Sequence, residues 1–123
     1  MTKKDWNSAQ LAAHVTQWSD QHRPGDPGFC DPKAAIWEFR QALPLSLFGP
    51  IERWTEWFAS ECSLWAEEGE PHRFDSMKSG CIHEPIVVLM RAGEAHVWDG
   101  SHRIAASLIA RKTTIPAIVG VPL

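Results

Sequence analysis

The chain has 123 residues, 44% of them hydrophobic and 22% charged, which suits one globular domain with an ordinary core and no need of disulfide or metal support. Twelve Lys and Arg against fifteen Asp and Glu give a formal charge of −3, a balance that weighs against a broad basic footprint for DNA or RNA but leaves room for a local basic pocket. No stretch approaches the ~20 apolar residues of a membrane span, and no apolar signal region follows Lys3-Lys4, so a soluble, cytoplasmic protein with no membrane partner is expected.

Asp5 to Gln21 reads as an amphipathic helix. Leu11, His14, Val15 and Trp18 recur at helical spacing, with Trp6 ahead of them and Ser8 as N-cap. His22 to Gly28 holds two prolines and two glycines and must turn. Asp31-Pro32 then offers a cap and a first-turn proline, and Ala35, Ile36, Phe39 and Leu43 continue a stripe, which predicts a second, shorter helix. Leu43 to Phe48 reads as a short edge strand.

Gly49-Pro50 opens a third helix with Ile51, Trp54, Trp57, Phe58, Cys62 and Trp65 on one side and Glu52, Glu56, Glu67 and Glu68 mostly on the other; Gly69 and Pro71 end it. Seven tryptophans and no tyrosine are used, six of them before residue 70. That makes the front of the chain either bulky packing or a surface for a protein partner or a homodimer.

Beyond Pro71 the pattern changes. A short helix over His72 to Lys78 and a turn at Ser79-Gly80 lead to Pro85–Met90, an apolar, β-branched run that suits a strand buried on both faces. A turn at Arg91 to Glu94 and a strand Ala95–Trp98 complete a hairpin. Ile104, Ala105, Leu108 and Ile109 mark an apolar helical face, ending at Arg111-Lys112. Thr114–Val119 is a last strand, at an edge or pairing only after Pro116, which has no N–H to give.

Asp99-Gly100-Ser101-His102-Arg103 lies where a strand ends and a helix begins. The first N–H groups of a helix lack internal partners and carry the positive end of its dipole, so the junction is an anion site by construction, with Gly100 letting a phosphate approach the backbone. Arg103 adds a forked cation and His102 a group that moves a proton near neutral pH. From physics alone, an ordinary capped junction with solvated side chains fits as well. Cys81, His83 and His72 lie close in sequence but follow no zinc spacing, so no metal site is expected there, and Cys30, Cys62 and Cys81 are expected to be reduced.

Three blocks, Glu84–Val88, His96–Ala106 and Thr114–Val119, resemble in sequence and spacing the ParB and sulfiredoxin superfamily. That resemblance implies an α/β (α+β) domain with a small mixed sheet: a single domain over residues 1–123, with a helical, Trp-rich extension at 1–41 and the core at 42–123. In that superfamily the Asp-Gly-x-His-Arg turn binds phosphates of nucleotides or nucleic acid. Its members include CTP-binding partition proteins, sulfiredoxin, free serine kinases and ParB-like nucleases, so the fold does not choose the reaction.

Ser101 stands where sulfiredoxin has its cysteine nucleophile, which disfavours that activity, and a complete partition protein would continue past Leu123. The resemblance therefore implies a nucleotide (ATP, ADP or CTP) or another phosphorylated small molecule as ligand. Gly100, Ser101, His102 and Arg103 would hold its phosphate, with Asp99, His102 and Glu84 as candidate catalytic groups and Mg²⁺ as a candidate ion if phosphoryl transfer or nucleotide hydrolysis occurs. Glu84 reads more readily as an exposed residue before a strand than as a catalytic group. Two other readings remain, a nuclease or nucleic-acid module and a non-enzymatic interaction protein of toxin, antitoxin or plasmid or phage accessory type.

Overall fold

The computed structural model describes residues 5–22, 31–78 and 84–123. The expected turns at 23–28 and 79–80, together with Cys30, Cys81 and His83, lie outside the described residues. The class is α+β: a four-stranded mixed sheet in the order β1-β4-β2-β3 between helical layers. The strands are β1 (Ala35–Pro44), β2 (Ile86–Arg91), β3 (Glu94–Asp99) and β4 (Thr114–Pro122), and the helices are α1 (Ser8–His22), α2 (Ile51–Glu67), α3 (Asp75–Lys78) and α4 (Ser101–Ile109). β4 runs antiparallel to β1 and parallel to β2, and β2 and β3 form the antiparallel hairpin.

β2 is central and buried on both faces. Val87 and Leu89 point toward α1, packing with Leu11, Val15, Trp37, Trp98 and Ile118. Ile86 and Val88 point the other way, toward Ile104 of α4, Ile115, Ala117 and Val119. α2 and Phe74 then cover α4 through Phe58, Ala105 and Ala106. Burying a side chain such as Ile104, which has no exposed surface, contributes about 1.5–3 kcal/mol.

Three sequence expectations fail before residue 50. Ser8 is not the cap of α1: Asn7 Oδ1 accepts from Gln10 N at 2.9 Å and Gln10 Oε1 accepts from Asn7 N at 2.8 Å, a reciprocal pair that makes Asn7 the cap. Ser8 Oγ instead accepts the N–H of Trp37 at 3.0 Å, occupying a donor that would otherwise lie open on the edge strand.

The second helix does not form. Asp31 does cap, accepting from Lys33 N at 3.0 Å, but the helix it opens is a 3₁₀ turn over Pro32–Ala34, and β1 follows. Along β1, Ala35 and Trp37 are buried while Ile36 and Glu38 are exposed, the two-residue period of a strand. Trp37 is held by Nε1 donating to Pro32 O at 2.7 Å. Its ring lies over Gly120, where a Cβ would come within 2.6 Å of it. The stretch expected as a short edge strand at Leu43 to Phe48 is the end of β1 and a 3₁₀ turn, Leu45–Phe48, so the edge strand lies earlier and is longer.

Pro116 sits inside β4, which is not an edge strand, so the edge alternative fails. The other alternative holds on the β2 side, where pairing starts at Ala117. On the β1 side the register slips between Arg40 and Leu43, so that Gln41 and Ala42 together face Pro116. This bulge relieves a position that has no N–H to donate.

Candidate functional site

α4 starts at Ser101, as the sequence implies, and β3 runs to Asp99, one residue past the expected end at Trp98. Trp98 is an extra residue of β3 relative to β2, because Val87 pairs with Asp99 and Val88 with Val97. The bulge re-aims the strand end just before the turn. Gly100 is the N-cap of α4, in the left-handed region at φ 110°, and no side chain caps the helix. Glycine is required there twice over: for its φ, and because a Cβ would lie 2.3 Å from Ile86 Cγ2. Ile104 N already bonds Gly100 O at 2.9 Å, which leaves the N–H groups of the preceding residues of the first turn facing outward.

The side chains of His102 and Arg103, both expected to reach one anion, diverge, and Ser101 faces a third way. Arg103 turns back onto the start of β2: Nη1 donates to Glu84 O at 2.9 Å and Pro85 O at 3.0 Å, and Nη2 donates to Asp99 Oδ2 at 3.0 Å. Its side chain keeps 17% exposure. It is thus a clasp across the turn, with three of its donors committed to the protein itself. Asp99 lends it one carboxylate oxygen. Glu84 is exposed and enters this arrangement through its backbone carbonyl.

His102 points away, into an aromatic sandwich. It stacks on Phe74 at 4.7 Å and 20°, and Trp57 lies tilted against it at 4.9 Å. Nε2 is buried without a hydrogen bond, standing 3.7 Å from Glu61 Oε1, beyond hydrogen-bonding reach. Burial lowers the imidazole's pKa below 6.5. Glu61 pulls it up and Arg73 pushes it further down, and burial wins.

Ser101 opens on a third side, into a cleft of about 430 Å³ lined by Leu47, Phe48, Arg53, Trp54, Trp57, Ala95, Val97 and Ser101. The sequence pattern does not single out Arg53, and it puts Trp54 and Trp57 in a stripe that reads as packing or a protein-partner surface. The signal was present: Arg53 and Trp57 are four residues apart and share one flank of α2. His72, a weak metal candidate, instead bonds Asp75 Oδ2 through Nδ1 at 2.8 Å. Among the described residues no three Asp, Glu, His or Cys side chains gather as a metal site, Cys62 is a free thiol, and no helix is long and apolar enough to cross a membrane.

The chain matches no family model, no curated protein and no solved structure.

Proposed function

We propose that the chain is a phosphate-recognising domain whose ligand is a nucleotide, taken at the first turn of α4. The observation that carries this reading is the helix start itself. Gly100 provides no capping side chain, and Ser101 opens into a cleft that also holds Arg53. Uncapped N–H groups, the positive end of a helix dipole and a guanidinium at one mouth favour a phosphate over a neutral group. The resemblance of the Asp99 to Arg103 turn to the ParB and sulfiredoxin superfamily supports the same reading.

In this proposal Gly100, Ser101 and His102 contribute backbone donors, Arg53 neutralises charge, and Arg103 is a positioning residue that holds the turn. The activity proposed is binding. Asp99 has Oδ2 engaged by Arg103, and among the described residues no three Asp, Glu, His or Cys side chains gather as a cation site, so the proposal stops at binding.

The test is thermal denaturation with ATP, ADP, CTP, GTP and NAD, with and without Mg²⁺, on the natural chain and on Ser101→Asp. A ligand that binds the folded state at a hundred times its Kd adds about 2.7 kcal/mol and raises the midpoint. Ser101→Asp places a carboxylate in the first turn, which by itself stabilises a helix by about 0.3–1 kcal/mol but repels a phosphate. The expected result is an unchanged or higher midpoint without ligand and no nucleotide shift. Absence of any shift in the natural chain, or equal shifts in both proteins, overturns the proposal.

A further inference from the structure

The cleft beside Ser101 has a composition that a phosphate site alone does not need. Trp54 and Trp57 meet edge to face at 5.9 Å and 87°, so two half-buried indoles form a corner. Trp54 is fixed there by Nε1 donating to Phe48 O at 2.8 Å. Leu47, Phe48, Ala95 and Val97 supply apolar walls, and Arg53 and Ser101 are the polar groups of the lining. A cleft of mixed polarity, with an aromatic corner, apolar walls and one cation, fits a flat ring carrying polar edges and an anionic group. Its volume of about 430 Å³ lies near the small end of the roughly 300–1,000 Å³ range of ligand pockets, which suits one nucleoside phosphate better than a dinucleotide.

We infer that the corner formed by Trp54 and Trp57 seats the base of a single nucleoside phosphate, with Arg53 on its phosphate side. This rests on the proposed phosphate reading and adds the ligand's other half. A ring entering the corner lies flat on one indole and meets the other with its edge, the arrangement that aromatic quadrupoles favour. Stacking tolerates every base, since each has a π-face. Discrimination among bases is therefore expected to be weaker than discrimination between a nucleotide and its sugar phosphate.

The test compares AMP, CMP, adenosine, ribose 5-phosphate, inorganic phosphate and a short oligo-dT on the full chain, following tryptophan emission and melting midpoint. The variants are Arg53→Gln, at an exposed position of α2, and Trp57→Leu. AMP is expected to bind about tenfold or more tighter than ribose 5-phosphate, the difference that one stacked base makes, with emission quenched for AMP and unchanged for ribose 5-phosphate. Arg53→Gln weakens AMP several-fold and leaves adenosine unaffected. Trp57→Leu brings AMP to the level of ribose 5-phosphate.

Equal binding of AMP and ribose 5-phosphate removes the base seat and leaves the phosphate reading standing. Adenosine binding as tightly as AMP keeps the seat and removes the phosphate reading. No binding by any probe removes both, and oligo-dT binding more tightly per site than every mononucleotide replaces the seat with a nucleic-acid surface. If Trp57→Leu fails to fold, Arg53→Gln and the ligand series decide.

Discussion

Replacing Gly100 by alanine imposes two penalties at one atom. At φ 110° the backbone is in a region that costs an L-residue roughly 1–2 kcal/mol. The new Cβ would also stand 2.3 Å from Ile86 Cγ2 and 2.8 Å from Ile86 Cβ. Ile86 is wholly buried in the central strand and has nowhere to swing, and overpacking of this kind costs about 1–3 kcal/mol. The sum, about 2–5 kcal/mol, is a large part of the ~5–15 kcal/mol that holds a domain together, and it lowers the melting midpoint by on the order of 10–20 °C.

Urea denaturation of four proteins apportions the effect: the natural chain, Gly100→Ala, Ile86→Ala and the double variant. Ile86→Ala alone costs about 2–5 kcal/mol. In the Gly100→Ala background it should cost about 1–2 kcal/mol less, because truncation removes the Cγ2 that stands 2.3 Å from the new carbon and leaves the Cβ contact at 2.8 Å. Additivity within about 0.5 kcal/mol, or a cost for Gly100→Ala under about 1 kcal/mol, refutes the close approach between the turn and β2.

Arg103→Met should destabilise by about 2–4 kcal/mol, since it leaves the Asp99 carboxylate and two carbonyls without their charged donor; a loss under about 0.5 kcal/mol in urea denaturation contradicts the clasp. Gly120→Ala drives a Cβ into the Trp37 ring, which its bond to Pro32 O holds in place, and should cost about 1–3 kcal/mol and alter the near-ultraviolet circular dichroism of the Trp37–Trp98 pair. His102 has its pKa lowered in the fold by burial. The unfolded chain therefore binds the extra proton first, and this group's contribution is full above pH 6.5 and lost as pH falls from there through the folded pKa. Comparing denaturation at pH 7.5 and 5.5, His102→Phe should lose less stability on acidification than the natural chain; an equal or greater loss rejects the assignment.

The second half of the chain was the legible half. Pro85–Met90 is long, apolar and β-branched, and Ile104 to Ile109 repeats at helical spacing with a glycine before it, so each stretch admits one period. The stretch after Asp31 admits two. Ala35 and Phe39 are four residues apart, a spacing that shares a face in a helix and in a strand alike. The neighbours decide: a helix wants Ile36 inside, whereas a strand wants Trp37, and the observed burial follows Trp37 because Gly120 leaves room for its ring across the sheet. That room comes from a residue more than eighty positions away, which a local pattern does not carry.

The strand-to-helix junction that forms the candidate site was legible, and the arrangement of its side chains less so. The spacing put Ser101, His102 and Arg103 at a helix start, where consecutive residues point about 100° apart. One turn of helix cannot aim all three at a single ligand. Which of them meets the cleft depended on what lay to each side: β2 beside Arg103, Phe74 and α2 beside His102, and open space beside Ser101.

The bulge of Gln41 and Ala42 opposite Pro116 has a consequence for how β1 finds its place. Sliding β1 along β4 by two residues would keep every side chain on its own face, so hydrophobic patterning does not forbid that error. It would, however, leave a β1 carbonyl facing a proline that has no N–H for it, and would carry the bulge to a stretch of β4 whose donors are then wasted. The missing hydrogen on Pro116 thus acts as an index mark, readable by one alignment of the edge strand. Trp37 over Gly120 is a second such mark four residues farther along β4.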